Sequence, residues 1–333
     1  MKELTYEIEE RFLSPYATFS KNTAGRENPE TPCPMRTDFQ RDRDRILHCK
    51  AFRRLKNKTQ VFLSPEGDHY RTRLSHTLDV AQIARAIARC LRLNEDLAEA
   101  ISLGHDLGHT PFGHSGERVL DRLSGGNFSH NEQSVRVVDL LEKEGSGLNL
   151  TMEVRDGILH HRKSGTPATL EGKAVSFADR IAYVTHDVDD ALRAGVLKKE
   201  DLPQNALKVL GETSSARINT MIWSVYRKSN EKPFVEMEEE VLSALNELRS
   251  FLFQAVYITP SSMAEEEKAN RMLEAMFNYY KTNVDKLPAF YRAIVDRDGV
   301  TRAICDYLSS MTDRYAEHVF RSLFIPKSWL FTK

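Results

Sequence analysis

The stretch SLGHDLGHTPFGHSGE, Ser102 to Glu117, carries three histidines, an aspartate and a glutamate within sixteen residues. Six of the chain's eleven histidines fall between His69 and His130. Histidine is the commonest metal ligand and the side chain best suited to proton transfer near neutral pH. This density therefore points to metal chemistry, acid–base chemistry, or both. His105 and Asp106 are adjacent, and on a helix they point about 100° apart. They can share one ion only where a helix end meets ligands from other helices. His76, at the start of one candidate helix, and Asp179, within another, can supply those ligands. Two neutral imidazoles and two carboxylates nearly cancel a divalent charge and leave positions for water and a substrate oxygen.

His109 follows His105 at i+4, so the two share a face of any helix that continues through them. The HxxxH pair leaves open whether His109 is itself a ligand, because Gly108 weakens the helix and no Glu follows His105. His114 and Glu117 are spaced i,i+3, which lets the carboxylate orient the imidazole as a base-orienting group does. Arg73 lies one turn before His76 and can reach phosphate at the same place. Tyr183 and Asp187 continue the face of Asp179 at i+4 and i+8. A second His-Asp dipeptide, His186–Asp187, shows how little such a pair means alone. The clusters RDRDR (41–45), KAFRRLKNK (50–58) and RTR (71–73) read mostly as solvated basic faces. No GxxxxGK[ST] phosphate loop is present.

The elements that must position these residues are helices. RLSHTLDVAQIARAIARCLRL is amphipathic, with Leu78, Ile83, Ile87 and Leu91 on one side. EDLAEAISLGHDLGH starts after Asn94, a plausible N-cap, and Pro111 prevents its continuation. Further helices are expected over Ser115 to Leu123, NEQSVRVVDLLEKE, VSFADRIAYVTHDVDDALRAG ending at Gly195, and EEEVLSALNELRSFLFQ. VFL (61–63) could form a short strand, and SPEGDH (64–69) reads as a turn. With no βα alternation and no repeat, the expected class is all-α. KKEDLPQNALKVLGETSS looks like the least ordered connection. The chain divides accordingly into an irregular and helical arm (1–40), a core (41–197) and a C-terminal helical region packed on it (198–333).

At 333 residues the chain can bury a sizeable core. Apolar residues are 41% and charged residues 29%, with net charge −1, so bulk charge selects no polyanionic partner. Cys33, Cys49, Cys90 and Cys305 form no CxxC pair and read as free thiols of a reducing compartment. The charged start MKELTYEIEERF has no apolar signal core, and no run approaches the roughly 18 apolar residues of a membrane span. The expectation is a cytoplasmic protein with no membrane partner.

In order along the chain, RTDFQRDRDRILHCKAFRRLKNKTQVF, TRLSHTLDVAQIAR, HDLGHTPFGHSGE, FSHNEQSVR and FADRIAYVTHDVDDA resemble the deoxyguanosinetriphosphate triphosphohydrolase-like proteins. These belong to the HD-domain superfamily of metal-dependent phosphohydrolases, marked by H…HD…D. The segments cover about half of the chain, and its C-terminal third resembles the family only diffusely. The resemblance implies an HD-domain helical bundle extended by further C-terminal helices. It also implies hydrolysis of a deoxynucleoside triphosphate at the α-phosphorus, giving deoxynucleoside and inorganic triphosphate. His76, His105, Asp106 and Asp179 would hold one divalent ion per site (Mn, Mg, Fe, Ni, Co or Zn), with room for a second ion among the substrate phosphates. His114, with Glu117 setting its tautomer, would handle the proton, as acid or as base. His109, His130, Arg73 and Arg180 would contact phosphate oxygens. Tyr183 would pack on the deoxyribose, and Asp187 and Gln60 would bind the 3′ hydroxyl. Deoxynucleoside triphosphates are the implied partners, together with a homo-oligomer (dimer or hexamer) for which the SLFIPKSWLF tail is a candidate interface. The resemblance also admits an allosteric nucleotide and single-stranded DNA. Two alternatives stand beside this reading: an HD phosphohydrolase acting on another nucleotide, and a nucleotide- or nucleic-acid-binding regulator with an inactive site.

Overall fold

The computed structural model describes residues 1–60, 71–257 and 260–327. The segments VFL and SPEGDH, and the end of SLFIPKSWLF, lie outside the described residues. Among the described residues there are α-helices and short 3₁₀ or π turns, with two isolated β-bridges and no strand. The all-α expectation holds. The four cysteines are free.

The N-terminal arm contributes α1 (Lys2–Phe12), and α2 (Asp38–His48) and α3 (Lys50–Arg54) follow. The histidine-rich stretch is framed by α4 (Arg73–Leu91), α5 (Glu95–Gly104), α6 (Gly113–Leu123), α7 (His130–Arg136), α8 (Met152–His160) and α9 (Leu170–Arg193). Then come α10 (Gln204–Leu210), α11 (Ser214–Ser229), α12 (Glu239–Leu252) and α13 (Pro260–Thr282). The chain closes with α14 (Ala289–Asp298), α15 (Val300–Ser309) and α16 (Asp313–Phe324).

Local chemistry sets the helix starts. Thr72 and Ser75 form a reciprocal capping box that opens α4 just ahead of His76. The Asn94 side chain accepts the Leu97 amide at 3.2 Å and opens α5. Along α4, Val80, Ile83, Ala84, Ile87, Ala88 and Leu91 are buried, and the helix packs against α5 and α9. Leu78, expected on that apolar side, is 51% exposed. The small residues Ala81, Ala84 and Ala88 are buried along the helix as well. The stretch expected to be the least ordered connection contains α10, whose Ala206, Leu207 and Leu210 are buried as it packs on α12.

Two apolar clusters result. The first runs from Phe39 to Val256 and surrounds α4, α5 and α9. The second joins Phe112, Val119, Leu120 and Phe128 to α13, α15 and α16 through Leu273, Phe277, Ile304 and Leu308. Helix α6 therefore packs its apolar face against the C-terminal helices, while its N-terminal turn faces α4 and α5. The N-terminal arm is fastened by buried carboxylates. Asp42 accepts the Thr151 amide at 2.8 Å and pairs with Arg26. Glu171, fully buried on α9, accepts Thr18 N at 2.9 Å, Thr18 Oγ1 at 2.8 Å and Asn94 N at 3.0 Å. No helix among the described residues is long and apolar enough to cross a membrane.

Glu171→Ala leaves two backbone amides without their buried acceptor, each costing about 1–3 kcal/mol. The expected loss of stability is about 3 kcal/mol, seen as a lower urea midpoint with an unchanged slope.

Candidate metal and catalytic site

Helix α5 stops at Gly104, and His105 to Gly108 form successive turns. His105 and His109 therefore do not share a helical face, as their spacing had suggested. The turn instead brings both rings onto one acid: His105 Nε2 and His109 Nε2 each lie 3.3 Å from Asp106 Oδ1. Helix α7 presses directly on this turn. A Cβ at Gly108 would lie 2.2 Å from the Ser134 backbone nitrogen, so glycine is required there by close approach. The Ser134 hydroxyl accepts the Gly108 amide at 2.9 Å and lies 2.8 Å from the carbonyls of His105 and His130. After Pro111 the backbone reverses through Phe112 at φ 62° and Gly113 at φ 58°, which points the start of α6 back toward Asp106.

His76, His105, Asp106 and Asp179 converge from α4, the turn after α5, and α9. His76 Nε2 of α4 lies 3.1 Å from Asp179 Oδ1 of α9, and His105 Nε2 is 3.9 Å from the same oxygen. Ligand atoms of His76, His105 and Asp106 all fall within 4.8 Å of one another. His105 Nδ1 sits 2.6 Å from the Ser102 carbonyl, which fixes the hydrogen on Nδ1 and leaves Nε2 as a lone pair. That Nε2 is buried and has no hydrogen-bond partner among the described residues. A buried, unpartnered imidazole nitrogen beside two carboxylates fits a divalent cation. Burial opposes ionisation of Asp106, yet His105, His109 and Arg73 hold its carboxyl well below the ordinary range. Burial likewise works against Asp179, but the hydrogen bond from His76 and the nearby imidazoles bring it down to about 2. Both acids are poised as anions.

The second half of the stretch forms an adjoining cluster. His114 is 67% exposed, and its Nδ1 lies 3.2 Å from Glu117 Oε2. The other Glu117 oxygen accepts the His130 amide at 2.9 Å and lies 2.8 Å from His130 Nδ1. Against the cost of burial, these hydrogen bonds from His114 and His130 keep Glu117 far below the usual carboxylate range. The His109 ring stacks on His130 at 4.0 Å and meets His114 edge-on at 5.4 Å. Burial, with Arg73 and His130 close by, drives His109 well below the ordinary imidazole value.

The remaining expected residues differ in their surroundings. Arg73 is buried and donates Nη1 to Asp106 Oδ2 at 2.9 Å, while its Nη2 has no partner among the described residues. A Cβ on Gly113 would lie 3.4 Å from that Nη2 and 3.7 Å from the Gln60 carbonyl, so Gln60 borders the start of α6. The Gln60 side-chain oxygen is buried without a partner among the described residues. Arg180 Nη2 reaches Asn246 at 3.4 Å, and its guanidinium lies over the Phe177 ring at 5.5 Å. Burial pushes Tyr183 up to about 12 and Asp187 up to about 7, Asp187 accepting a hydrogen bond from the Tyr257 hydroxyl. His186 turns away to Asp79, 3.1 Å off, and stays outside the cluster.

An HD domain model matches residues 73–184, and a phosphohydrolase-associated domain model matches residues 235–322. A deoxyguanosinetriphosphate triphosphohydrolase-like protein of Caldanaerobacter subterraneus subsp. tengcongensis is 56% identical over 329 residues, 99% of this chain and 97% of the relative. One from Desulfatibacillum aliphaticivorans is 49% identical over 337 residues, covering 95% of each chain. The chain belongs to the deoxyguanosinetriphosphate triphosphohydrolase-like family. A phosphohydrolase from Bacteroides thetaiotaomicron shares the fold, with TM-score 0.53 and 18% identity over 85% of this chain and 69% of that one. A hypothetical protein from Aquifex aeolicus also shares it, with TM-score 0.50 and 22% identity over 86% and 68%.

As an enzyme of the triphosphohydrolase-like family, the chain draws on both matched regions. Sequence reasoning missed the residues that join them. Lys58 is buried and donates Nζ to the His109 carbonyl and, at 2.8 Å, to the Ser309 carbonyl of α15. Desolvation pushes it down to about 7. Asp313, which starts α16, accepts Thr59 N at 2.9 Å and Phe112 N at 3.1 Å. Asp306 of α15 accepts Gln133 at 3.0 Å and Arg136 at 2.7 Å, which ties down α7. Lys58 lay within a run read as a solvated basic face, and neither aspartate has a local motif. His161 was also missed. It follows α8, with its ring 5.0 Å from His105, and the doublet His160–His161 was its only sequence signal.

Asp106→Asn is expected to lower metal affinity by more than about a hundredfold, beyond the range for outer-shell partners, as measured by elemental analysis. Asp313→Ala should cut kcat about ten- to a hundredfold through misplacement of the His109 and Phe112 backbone. The metal content of that variant should stay unchanged.

Proposed function

We propose that this protein hydrolyses deoxynucleoside triphosphates, dGTP or several of the four, to deoxynucleoside and inorganic triphosphate by water attack at the α-phosphorus. The observation that carries the reading is the continuity of the two clusters. Asp106, with His76, His105 and Asp179, joins through His109 and His130 to the His114–Glu117 pair. The family membership supports it.

A divalent ion held by His76, His105, Asp106 and Asp179 supplies polarisation of a phosphate oxygen and a lowered pKa for water. The protein's own groups do the rest. His114 is the exposed member of the cluster and so the one an incoming phosphate ester meets. Glu117 holds the His114 Nδ1 hydrogen, which directs Nε2 at the reacting oxygens and stabilises the imidazolium. From that nitrogen a proton passes to the departing 5′ oxygen. His109, His130, Arg180 and the free Nη2 of Arg73 surround the phosphate oxygens with donors. Tyr183 packs against the deoxyribose, while Asp187 and Gln60 take the 3′ hydroxyl. A buried polar pair of that kind rejects a 3′-modified sugar more strongly than an apolar wall would.

The test is product analysis by ion-exchange chromatography after incubation with each dNTP and each divalent ion. Inorganic triphosphate is the expected product, and release of phosphate or pyrophosphate instead would overturn the reading. His114→Ala should retain metal and cut turnover by roughly a hundredfold or more, the range of a proton-transfer group. Turnover near that of the wild type would remove His114 from the proton path.

A further inference from the structure

Helix α1 is seated with its polar side inward. Glu9 is buried and accepts the Ser20 amide at 2.7 Å and the Asn94 side-chain amide at 3.3 Å. Just beyond the helix, the Ser14 amide donates to the Arg92 carbonyl at 2.7 Å, which ties the arm to the end of α4. Among the described residues, no side chain of α1 joins either apolar cluster. Its large apolar residues face the other way. Leu4, Ile8 and Phe12 recur at i, i+4 and i+8 and so form one stripe. They are 55%, 48% and 67% exposed. Tyr16, beyond the helix, is exposed too, as is Met35, which follows the Pro34 carbonyl that accepts the Lys2 amide. An amphipathic surface helix ordinarily turns such a stripe to the core. Here the buried Glu9 holds it outward, and a contiguous exposed apolar patch marks an interaction site.

The charges beside the stripe decide what covers it. Glu3, Glu7, Glu10 and Arg11 are exposed around it. Three carboxylates against one guanidinium disfavour an anionic lipid surface, which selects Lys and Arg on the polar face. Glu7 and Arg11 lie on the same edge of the stripe, about 100° and 60° round from Ile8. Neither makes an ion pair among the described residues. Consider a second α1 that runs antiparallel and crosses at Ile8. Arg11 then stands about 4.5 Å along the axis from the crossing, and Glu7 of the second copy about 1.5 Å in the same direction. Like edges meet in a two-fold antiparallel pair, so Arg11 faces Glu7 of the second copy and Glu7 faces its Arg11. Leu4 meets Phe12 of the second copy, and Ile8 meets its own equivalent. The stripe is its own complement, as a two-fold interface requires.

We propose that the outward face of α1 is a self-association surface, on which α1 of a second copy packs antiparallel with reciprocal Glu7–Arg11 pairs. The helix has 11 residues, so it is about 16 Å long. Contact over that length falls at the low end of interface sizes, below roughly 1,200 Å². The association is therefore weak when it acts alone, with a dissociation constant on the order of micromolar. It rests on the arm and is independent of the proposed function.

The experiment uses the full chain in a Cys33→Ser, Cys90→Ser background, which removes the two native thiols that are not buried. Ile8→Cys places a thiol at the two-fold crossing and should give a covalent dimer on mild oxidation, seen on non-reducing gels. Glu10→Cys, exposed but on the far side of the helix from the stripe, should stay monomeric on the same gels. By sedimentation equilibrium, Ile8→Asp should weaken association about tenfold or more, as loss of a central contact does. Glu7→Arg should weaken it as well, and Glu7→Arg combined with Arg11→Glu should restore it, because the exchange rebuilds each pair in the opposite sense. A covering partner other than a second copy would give no covalent dimer and no rescue by the exchange. Absence of the Ile8→Cys dimer, equal cross-linking through Glu10→Cys, or association unchanged by Ile8→Asp overturns the proposal.

Discussion

A single buried carboxylate organises the site. Asp106 is removed from water and must remain an anion, and an unpaired buried anion costs several kcal/mol. Its neighbours are arranged to remove that cost. Arg73 donates to one oxygen and the His109 ring approaches the other, beside the His105 ring, and every one of these groups is itself buried. Because each partner comes from a different turn, α4, the end of α5 and the following reversal can only pack in one relative placement. Asp179 completes the arrangement from α9 through His76. What looks like a set of ligands is also what fixes the register of three helices.

The histidines divide by the company their Nδ1 atoms keep. His105 and His161 point Nδ1 at backbone carbonyls, while His114 and His130 point theirs at Glu117. His109 differs, because its Nδ1 is buried without a partner and its Nε2 faces Asp106. One residue type thus presents lone pairs at some positions and hydrogens at others, with the assignment made by the atoms behind each ring.

Much of this was legible in the sequence, because the determinants are local. Asn94 capping α5 and the His114–Glu117 spacing are short-range relations that survive folding unchanged. The same reasoning failed where a local rule met a tertiary constraint. The i,i+4 relation of His105 and His109 presumed a helix that stops at Gly104, since α7 comes too close at Gly108 to allow it to continue. Leu78 was assigned inside by periodicity, yet it is exposed, while Ala81, Ala84 and Ala88 of the same helix are buried. Lys58, Asp306 and Asp313 act only through contacts far away in sequence, and no pattern of residue types announces such a partner.

The strap formed by Lys58 and Asp313 spans 251 and 254 residues of sequence to Ser309 and Thr59. It bears on when the protein becomes active during synthesis. His76, His105, Asp106 and Asp179 have all left the ribosome while α15 and α16 are still untranslated. Until those helices arrive, the His109 carbonyl shares Lys58 with no second acceptor, Phe112 has no carboxylate for its amide, and α6 has no apolar wall. An unfinished chain therefore carries the histidine cluster without the long-range contacts that hold its backbone in place.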